Sequence, residues 1–280
     1  MALSVVVVTF QSRDVIAECL ESLRVPVVVV DNASEDGTAA FVRERFPEVR
    51  VLELERNVGF GAAANAGVDA VDSEFVLVLN PDARPLGDGL SSLQACAEAN
   101  PRAAIAVPAL VDEAREPQPS RIGYPTWRWT GSPAVTSFPG RRLENGDQGF
   151  AVGAALLFRR EAFRSVGGFD PDYFLFYEEV DLCLRLEQAG WAIVSCPAAT
   201  FSHAGGASTK RDWAASYRRQ LAGHLRFIRK HHGVAAAERS RRILIAAVAL
   251  RAVLSRGVVR TAAREAVPWL RGHGLSQLLD

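Results

Sequence analysis

Phe75-Val76-Leu77-Val78-Leu79-Asn80-Pro81-Asp82-Ala83-Arg84-Pro85 is the stretch on which the reading of this 280-residue chain turns. Five apolar residues in a row, Phe75 to Leu79, have the length and composition of a short strand buried on both faces, as a parallel sheet requires. The run stops at Asn80-Pro81-Asp82, where Pro81 has no N–H for a ladder and Asn and Asp favour turns. Asp82 is therefore expected just past the carboxyl end of a central strand, where open α/β sheets bind their ligands. A carboxylate there can hold a hard cation, and that cation can hold a phosphate. A plain Asx turn would use the same residues, so the neighbouring stretches decide between the two.

Residues 3–108 alternate strand and helix signals around it. Leu3 to Phe10, Val27 to Val30, Val49 to Glu53 and Ile105 to Val107 read as strands. Asp14 to Leu23 has a helical period, a second helix runs to about Phe46, a third of small residues opens after Gly59, and a fourth covers Leu86 to Asn100. This alternation means βαβ units and a doubly wound, mostly parallel sheet. From Asp112 to Gly149 five prolines break the pattern, and a flap over the site is expected there. Order returns with a strand Gly153 to Arg159, a short helix from Arg160 to Val166, a helix Glu178 to Ala189 and a strand Trp191 to Ser195. Long basic amphipathic helices follow at 213–231 and 235–256. The expected organisation is a nucleotide-sugar-binding half (1–108), an acceptor-binding and catalytic half of the same domain (109–209), and a helical region (210–280).

The formal net charge is zero, which argues against a nucleic-acid binder. Its distribution is uneven: residues 210–280 carry 15 Lys/Arg against 4 Asp/Glu, and residues 1–209 carry 17 against 28. A basic tail with Leu221, Leu225 and Ile228 on one stripe fits either a solvated helix face packed on the catalytic domain or attachment to an anionic membrane surface. No stretch reaches the roughly 18 apolar residues of a spanning helix. Cys19, Cys96, Cys183 and Cys196 are scattered without a CxxC pair, so four reduced, buried thiols in a cytoplasmic protein are expected, with no zinc site.

Three polar clusters fall at consecutive strand ends: Asp31-Asn32, Arg56-Asn57 and Asn80-Pro81-Asp82. Asp31 stands where a carboxylate can accept from a base or ribose, and Arg56 offers a fork suited to phosphate or a base edge. His203 follows a strand-like segment and would be a second metal ligand beside Asp82. Glu178, Glu179 and Asp181 open a helix behind the aromatic run Tyr173 to Tyr177. Acids there suit the helix dipole, and Asp181 pairs by spacing with Arg185. Burial under aromatic cover would raise the pKa of Glu178 and Glu179, as a general base requires. Glu178 and Asp181 share a helical face, which leaves Glu179 pointing elsewhere.

VVVVTF, VVVVDNASEDGT, LERNVGFGAAANAG, LVLNPDARP, VGAALLFRREAF, GGFDPDYFLFYEEVDLCLRL and SHAGGAS, in that order over roughly residues 3–210, resemble the GT-A-fold inverting glycosyltransferases of family 2. The NPD in place of DxD is similar to the rhamnosyltransferase branch of bacterial cell-wall and O-antigen assembly. The resemblance implies a nucleoside-diphosphate sugar donor, dTDP-rhamnose in that branch, and a glycan or polyprenyl-diphosphate-linked acceptor. It implies a donor pocket of Thr9, Asp31, Asn32, Arg56, Asn57, Gly61, Asn80 and Asp82. It implies Mg²⁺ or Mn²⁺ on Asp82 and His203, Glu179 as the base, and an acceptor side built from Gly153, Gly168, Phe169 and Asp170. It also implies work at the inner face of the cell membrane. Two departures stand out: Asn80 replaces the first acid of DxD, and Glu179 stands where the family usually has Asp. A sugar nucleotidylyltransferase would want a Gly-rich, basic loop after the first strand, which Thr9-Phe10-Gln11-Ser12 lacks. A binding-only homologue has no need of Asp82, an acid at 179 and His203 together.

Overall fold

The computed structural model describes residues 3–125, 148–205 and 212–279. Leu3–Thr9 (β1) is buried along its whole length. Val27–Asp31 (β2) pairs with it in parallel, and Arg50–Glu53 (β3) pairs with β2. The crossovers are helical: Ile16–Glu21 (α1), Thr38–Arg45 (α2) and Phe60–Asp69 (α3). Phe75–Leu79 (β4), buried throughout, lies on the other side of β1 with Val5 opposite Leu77 and Val7 opposite Leu79. The strand expected from FVLVL is therefore central. A Cβ on Gly67 of α3 would come within 2.3 Å of Val6 Cγ1, so the small residues after Gly59 let the helix lie directly on the sheet.

The second half is wound differently. Ala83–Pro85 (β5) leads into Gly89–Ala99 (α4) and Ala103–Val111 (β6). Pro117–Gln118 (β7), Arg121–Ile122 (β8) and Phe150–Ala151 (β9) are short. Ala155–Arg159 (β10), Arg160–Ser165 (α5), Glu178–Gln188 (α6) and Ala192–His203 (β11) complete the α/β part. The sheet runs β3-β2-β1-β4-β10-β6-β11-β5, with β7 on β6, while β8 and β9 form a separate pair. β10 is antiparallel to both its neighbours, and β5 is antiparallel to β11. Of the flap expected at Asp112 to Gly149, residues 126–147 lie outside the described residues.

Two expectations are corrected here. β11 does not stop at Ser195. The ladder with β6 breaks between Cys196 and Thr200, around Pro197, and resumes to Ser202. That continuation carries His203. The second correction concerns the cysteines: Cys96 on α4 and Cys196 on β11 form a disulfide across 100 residues of sequence, their Cα atoms 6.2 Å apart. Cys19 and Cys183 are free and buried, as expected. The bond removes the argument from four reduced thiols to a reducing compartment.

Among the described residues, 3–123, 148–174 and 178–205 form this α/β unit, and 175–177 with 212–279 belong to a helical one. The helical unit comprises Trp213–His232 (α7), Val234–Leu254 (α8), Gly257–Gly272 (α9) and Leu275–Leu279 (α10), two more helices than the sequence announced. Leu221, Leu225 and Ile228 are completely buried, so the stripe read as membrane-facing is this unit's own core. Tyr177 joins that core, its hydroxyl 3.1 Å from His224 Nδ1. Burial pushes the His224 imidazole down to about 3. No described helix is long and apolar enough to cross a membrane.

Candidate active site

Parallel pairing sets Thr9 opposite Asp31 at the carboxyl ends of β1 and β2. Thr9 Oγ1 donates to Asp31 Oδ1 (2.8 Å), Ser34 Oγ donates to the same oxygen (2.6 Å), and the Ser34 N–H donates to Oδ2 (3.0 Å). Asp31 is buried and is the hub of its turn. Asn32 clamps the next loop: its amide donates to Asn57 Oδ1 (2.9 Å) and to the Gly59 carbonyl (3.1 Å), while its oxygen accepts from the Val58 N–H (2.9 Å). Arg56 stands exposed beside this clamp. Thr9, Asp31, Asn32 and Asn57 are thus one connected rim.

At the second cluster, β11 pairs antiparallel with β5 so that His203 is opposite Ala83. This register, not sequence proximity, brings His203 Nε2 to 3.6 Å from Asp82 Oδ1. A third residue, which no motif flagged, fixes the imidazole. Gln118 on β7 donates from Nε2 to the His203 carbonyl (3.0 Å), which leaves its Oε1 as the acceptor 3.2 Å from His203 Nδ1. Nδ1 therefore carries the proton, and the Nε2 lone pair faces a carboxylate oxygen. Burial lowers the His203 pKa and outweighs the negative Asp82, which pulls it the other way, so the neutral ring is favoured. Two electron-pair donors facing each other fit a shared cation. Two ligands each 2.0–2.1 Å from one Mg²⁺ can lie no more than about 4.2 Å apart, and these do. No group of three or more His, Cys, Asp or Glu stands together among the described residues, so the remaining coordination positions would fall to substrate oxygens or water. Asp82 also lines a cleft shared with Asp14, Glu18, Arg84 and Glu113.

The third cluster is the head of α6, and its three acids are separated as helical geometry requires. Asp181 is fully buried and takes Arg185 Nε at 2.7 Å. The same guanidinium donates to the carbonyls of Val166 (2.6 Å) and Gly168 (2.7 Å). This acid is structural. Glu178 turns toward α3, where a Cβ on Gly61 would sit 3.4 Å from its Cβ. Burial and then the neighbouring Glu179 hold the Glu178 carboxyl well above the usual carboxylate range, which favours its protonated form. Glu179 turns the other way, its Cγ 3.9 Å from where a Gly153 Cβ would be. Immediately beyond Gly153, the Ala154 carbonyl accepts from the Asn80 N–H at 2.9 Å. The segment 153–154 thus joins the Asp82 turn on one side and Glu179 on the other. Just before α6, Phe176 and Tyr177 hold φ of +70° and +73°, a strained backbone for aromatic residues.

Not every expected site residue stands open to a ligand. Phe169 is completely buried, edge-on to Phe60, Phe158 and Phe163, and cannot touch an acceptor. Asn65 brackets it, donating to its carbonyl and accepting from its N–H. Gly168 has φ +69°, and a Cβ there would meet Asn65 Oδ1 at 2.6 Å, so only glycine fits. Gly61 is packed against Phe169 and Glu178 and has no face toward a donor. Asp170 caps its own turn by accepting from the Asp172 N–H (3.0 Å). Gly61, Gly168 and Phe169 are thus packing residues here, while Asp170 remains half-exposed.

Comparison with known proteins gives the family and the fold. The model of glycosyl transferase family 2 matches residues 4–167. The N-acetylglucosaminyl-diphospho-decaprenol L-rhamnosyltransferase of Mycobacterium tuberculosis (strain ATCC 25618 / H37Rv) is 34% identical over 253 residues, covering 79% of this chain and 81% of that protein. Among solved structures, the mannosyltransferase PcManGT of Pyrobaculum calidifontis in complex with GDP-Man and Mn²⁺ superposes with a TM-score of 0.59 at 19% identity, over 99% of this chain and 84% of that one. GalNAc-T7 with UDP, GalNAc and Mn²⁺ gives 0.55 at 17% identity, over 72% and 43%. At such identities the two structures speak for the fold. The chain belongs to the family 2 glycosyltransferases and has their GT-A fold.

Proposed function

We propose that this glycosyltransferase moves L-rhamnose, with inversion, from dTDP-rhamnose to a hydroxyl of a polyprenyl-diphosphate-linked glycan in bacterial cell-wall or surface-polysaccharide synthesis. The observation that carries sugar and acceptor is the 34% identity, over four-fifths of both chains, to a transferase named for rhamnose and a lipid-linked N-acetylglucosamine. In a single displacement the acceptor oxygen attacks the anomeric carbon, its proton leaves, and the bond to the diphosphate breaks on the opposite face. Glu179 takes that proton. Gly153, which carries no side chain, lies beside it on the acceptor side, and the extra methylene of Glu relative to Asp extends the carboxylate's reach. Asp31, Arg56 and Asn57 hold the nucleoside end, with the fully buried Thr9 orienting the Asp31 carboxylate. Asp82 Oδ1 and His203 Nε2 would hold Mg²⁺ or Mn²⁺, which supplies the positive charge that a departing diphosphate needs. Glu179 and His203 lie beyond the span of the family match, and their roles rest on the geometry above.

The test is a product assay of the purified chain with dTDP-, UDP- and GDP-sugars and a synthetic polyprenyl-diphosphate N-acetylglucosamine. Release of dTDP from dTDP-rhamnose, matched by rhamnosylated lipid and abolished by chelation, is expected. Preferential turnover of a UDP- or GDP-sugar would reject the donor assignment, and metal-independent turnover would reject the cation.

A further inference from the structure

Between Glu238 and Glu265 the chain carries seven arginines and no acidic residue. Among the described residues, the same span holds most of the exposed large apolar side chains: Leu250 (59%), Val253 (68%), Leu254 (70%) and Val258 (60%), with Ile243 (36%) further back along α8. Four of the five straddle the corner where α8 ends at Leu254 and α9 begins at Gly257. The corner is built, not frayed. Arg260 reaches back from α9, its Nε donating to the Ser255 carbonyl (2.6 Å) and its Nη2 to the Val253 carbonyl (3.1 Å). A guanidinium thus closes the carboxyl end of α8, the end that the helix dipole makes negative. With the buried stripe of α7 already spent on the core, this corner gathers four of the helical unit's six exposed large apolar side chains among the described residues.

We propose that the α8–α9 corner docks on an anionic lipid surface, with Val253, Leu254 and Val258 entering the acyl boundary and Arg256 and Arg264 meeting headgroup phosphates. Contiguous exposed apolar side chains rimmed by polar ones mark an interaction surface. The charge selects the occupant. Arg251, Arg256, Arg260 and Arg264 bracket the corner with no acidic residue between them, and they repel a second copy of the same corner and complement phosphate-bearing lipid. The depth is that of an interfacial attachment, an apolar face entering the headgroup boundary without a crossing helix. This surface extends the reading of a lipid-linked acceptor, since it would bring the enzyme to that acceptor. Its test needs no turnover, so the two readings fail separately.

The experiment is flotation of the full chain with phosphatidylcholine vesicles, with and without phosphatidylglycerol, at low and high salt. Binding to the anionic vesicles that weakens with salt is expected. The V253E/L254E/V258E variant should partition at least tenfold less, and Leu254→Ser alone should already weaken binding, at a side chain too exposed to be needed for folding. Arg256→Ser and Arg264→Ser should each cost about fivefold at low salt. Nucleoside-diphosphate release in solution and thermal melting should stay at wild-type levels for Leu254→Ser. No binding of the wild type at low salt overturns the proposal, as does unchanged binding of L254S and the triple variant. A concentration-dependent dimer that L254S dissolves would hand the corner to a second copy, and that result also overturns it.

Discussion

The Asn80–Asp82 turn and the head of α6 both present carboxylates at the end of an element, yet they are assembled in opposite ways. The turn has one acid and collects its partners from afar: His203 arrives through β5–β11 pairing, and Gln118 arrives on β7 to set the imidazole. The head of α6 has three acids within four residues and sorts them by surroundings. Asp181 goes to Arg185, Glu178 is turned inward, where its protonated form is favoured, and Glu179 is turned toward Gly153. A site assembled from distant strands is vulnerable through its supports. A site sorted along one helix is vulnerable to exchange of roles between neighbours.

The largest effect tests the sorting. Glu179→Gln preserves shape but cannot accept a proton, and kcat should fall by about 10² to 10⁴-fold with donor affinity nearly unchanged. Assayed beside it, Glu178→Gln should stay within a few fold of wild type. The reverse pattern would mean that the two glutamates have been assigned the wrong way round. Next comes the turn. Asp82→Asn removes the carboxylate facing His203 Nε2, and turnover should drop on the order of 10³-fold, several kcal/mol of lost charge stabilisation. His203→Ala should be milder, because water can occupy a coordination position. An Asp82→Asn enzyme that kept its activity and its Mn²⁺ dependence would remove the cation from this turn.

What was legible in the sequence follows the same division. The strands, the exposed carboxyl end of β4 and the Asp181–Arg185 pair are local patterns, and periodicity and i,i+4 spacing reach them. That Glu178 and Glu179 leave the helix in different directions follows from 100° per residue alone. Gln118 could not be read, because nothing in a proline-broken segment says that it returns to pair with β6. The continuation of β11 was hidden by Pro197, which looks like an end and is an irregularity. The Cys96–Cys196 bond spans 100 residues and has no spacing signature. Leu221, Leu225 and Ile228 were misjudged for a physical reason: an amphipathic stripe has the same period whether it meets lipid or neighbouring helices. Phe169 and Gly61 sit in motifs that belong to the site, but they act through packing.

A smaller effect sharpens the assembled site. Gln118→Met keeps volume but removes the acceptor for Nδ1–H. The imidazole is then released to its other tautomer, and a ring proton can face Asp82. Partners of this kind typically cost 10 to 100-fold in metal affinity. Mn²⁺ titration followed by electron paramagnetic resonance should show that loss, and ¹⁵N shifts of His203 should show the tautomer change in the metal-free protein. Gln118→Glu, which retains an acceptor, should restore both. If Gln118→Met lowered stability while leaving Mn²⁺ affinity and the tautomer untouched, Gln118 would be only a strand contact.

The smallest effect concerns Glu178 and is one of stability. Its folded-state pKa lies above the ordinary 4.5, first through burial and then through Glu179. From about 4.5 upward to that raised value, the folded protein binds a proton that the unfolded chain has released. Stability must therefore fall as pH rises through this window, and the loss is complete above it. Glu178→Gln cannot ionise and escapes the penalty, while its amide can still pack against α3. Melting temperatures of the two proteins should agree below pH 4.5 and diverge in favour of the variant as pH rises. Parallel curves across the whole range would mean that Glu178 is ionised in the folded state. The inward-turned, neutral acid beside Glu179 would then be lost, and with it the electrostatic half of the distinction between the two glutamates.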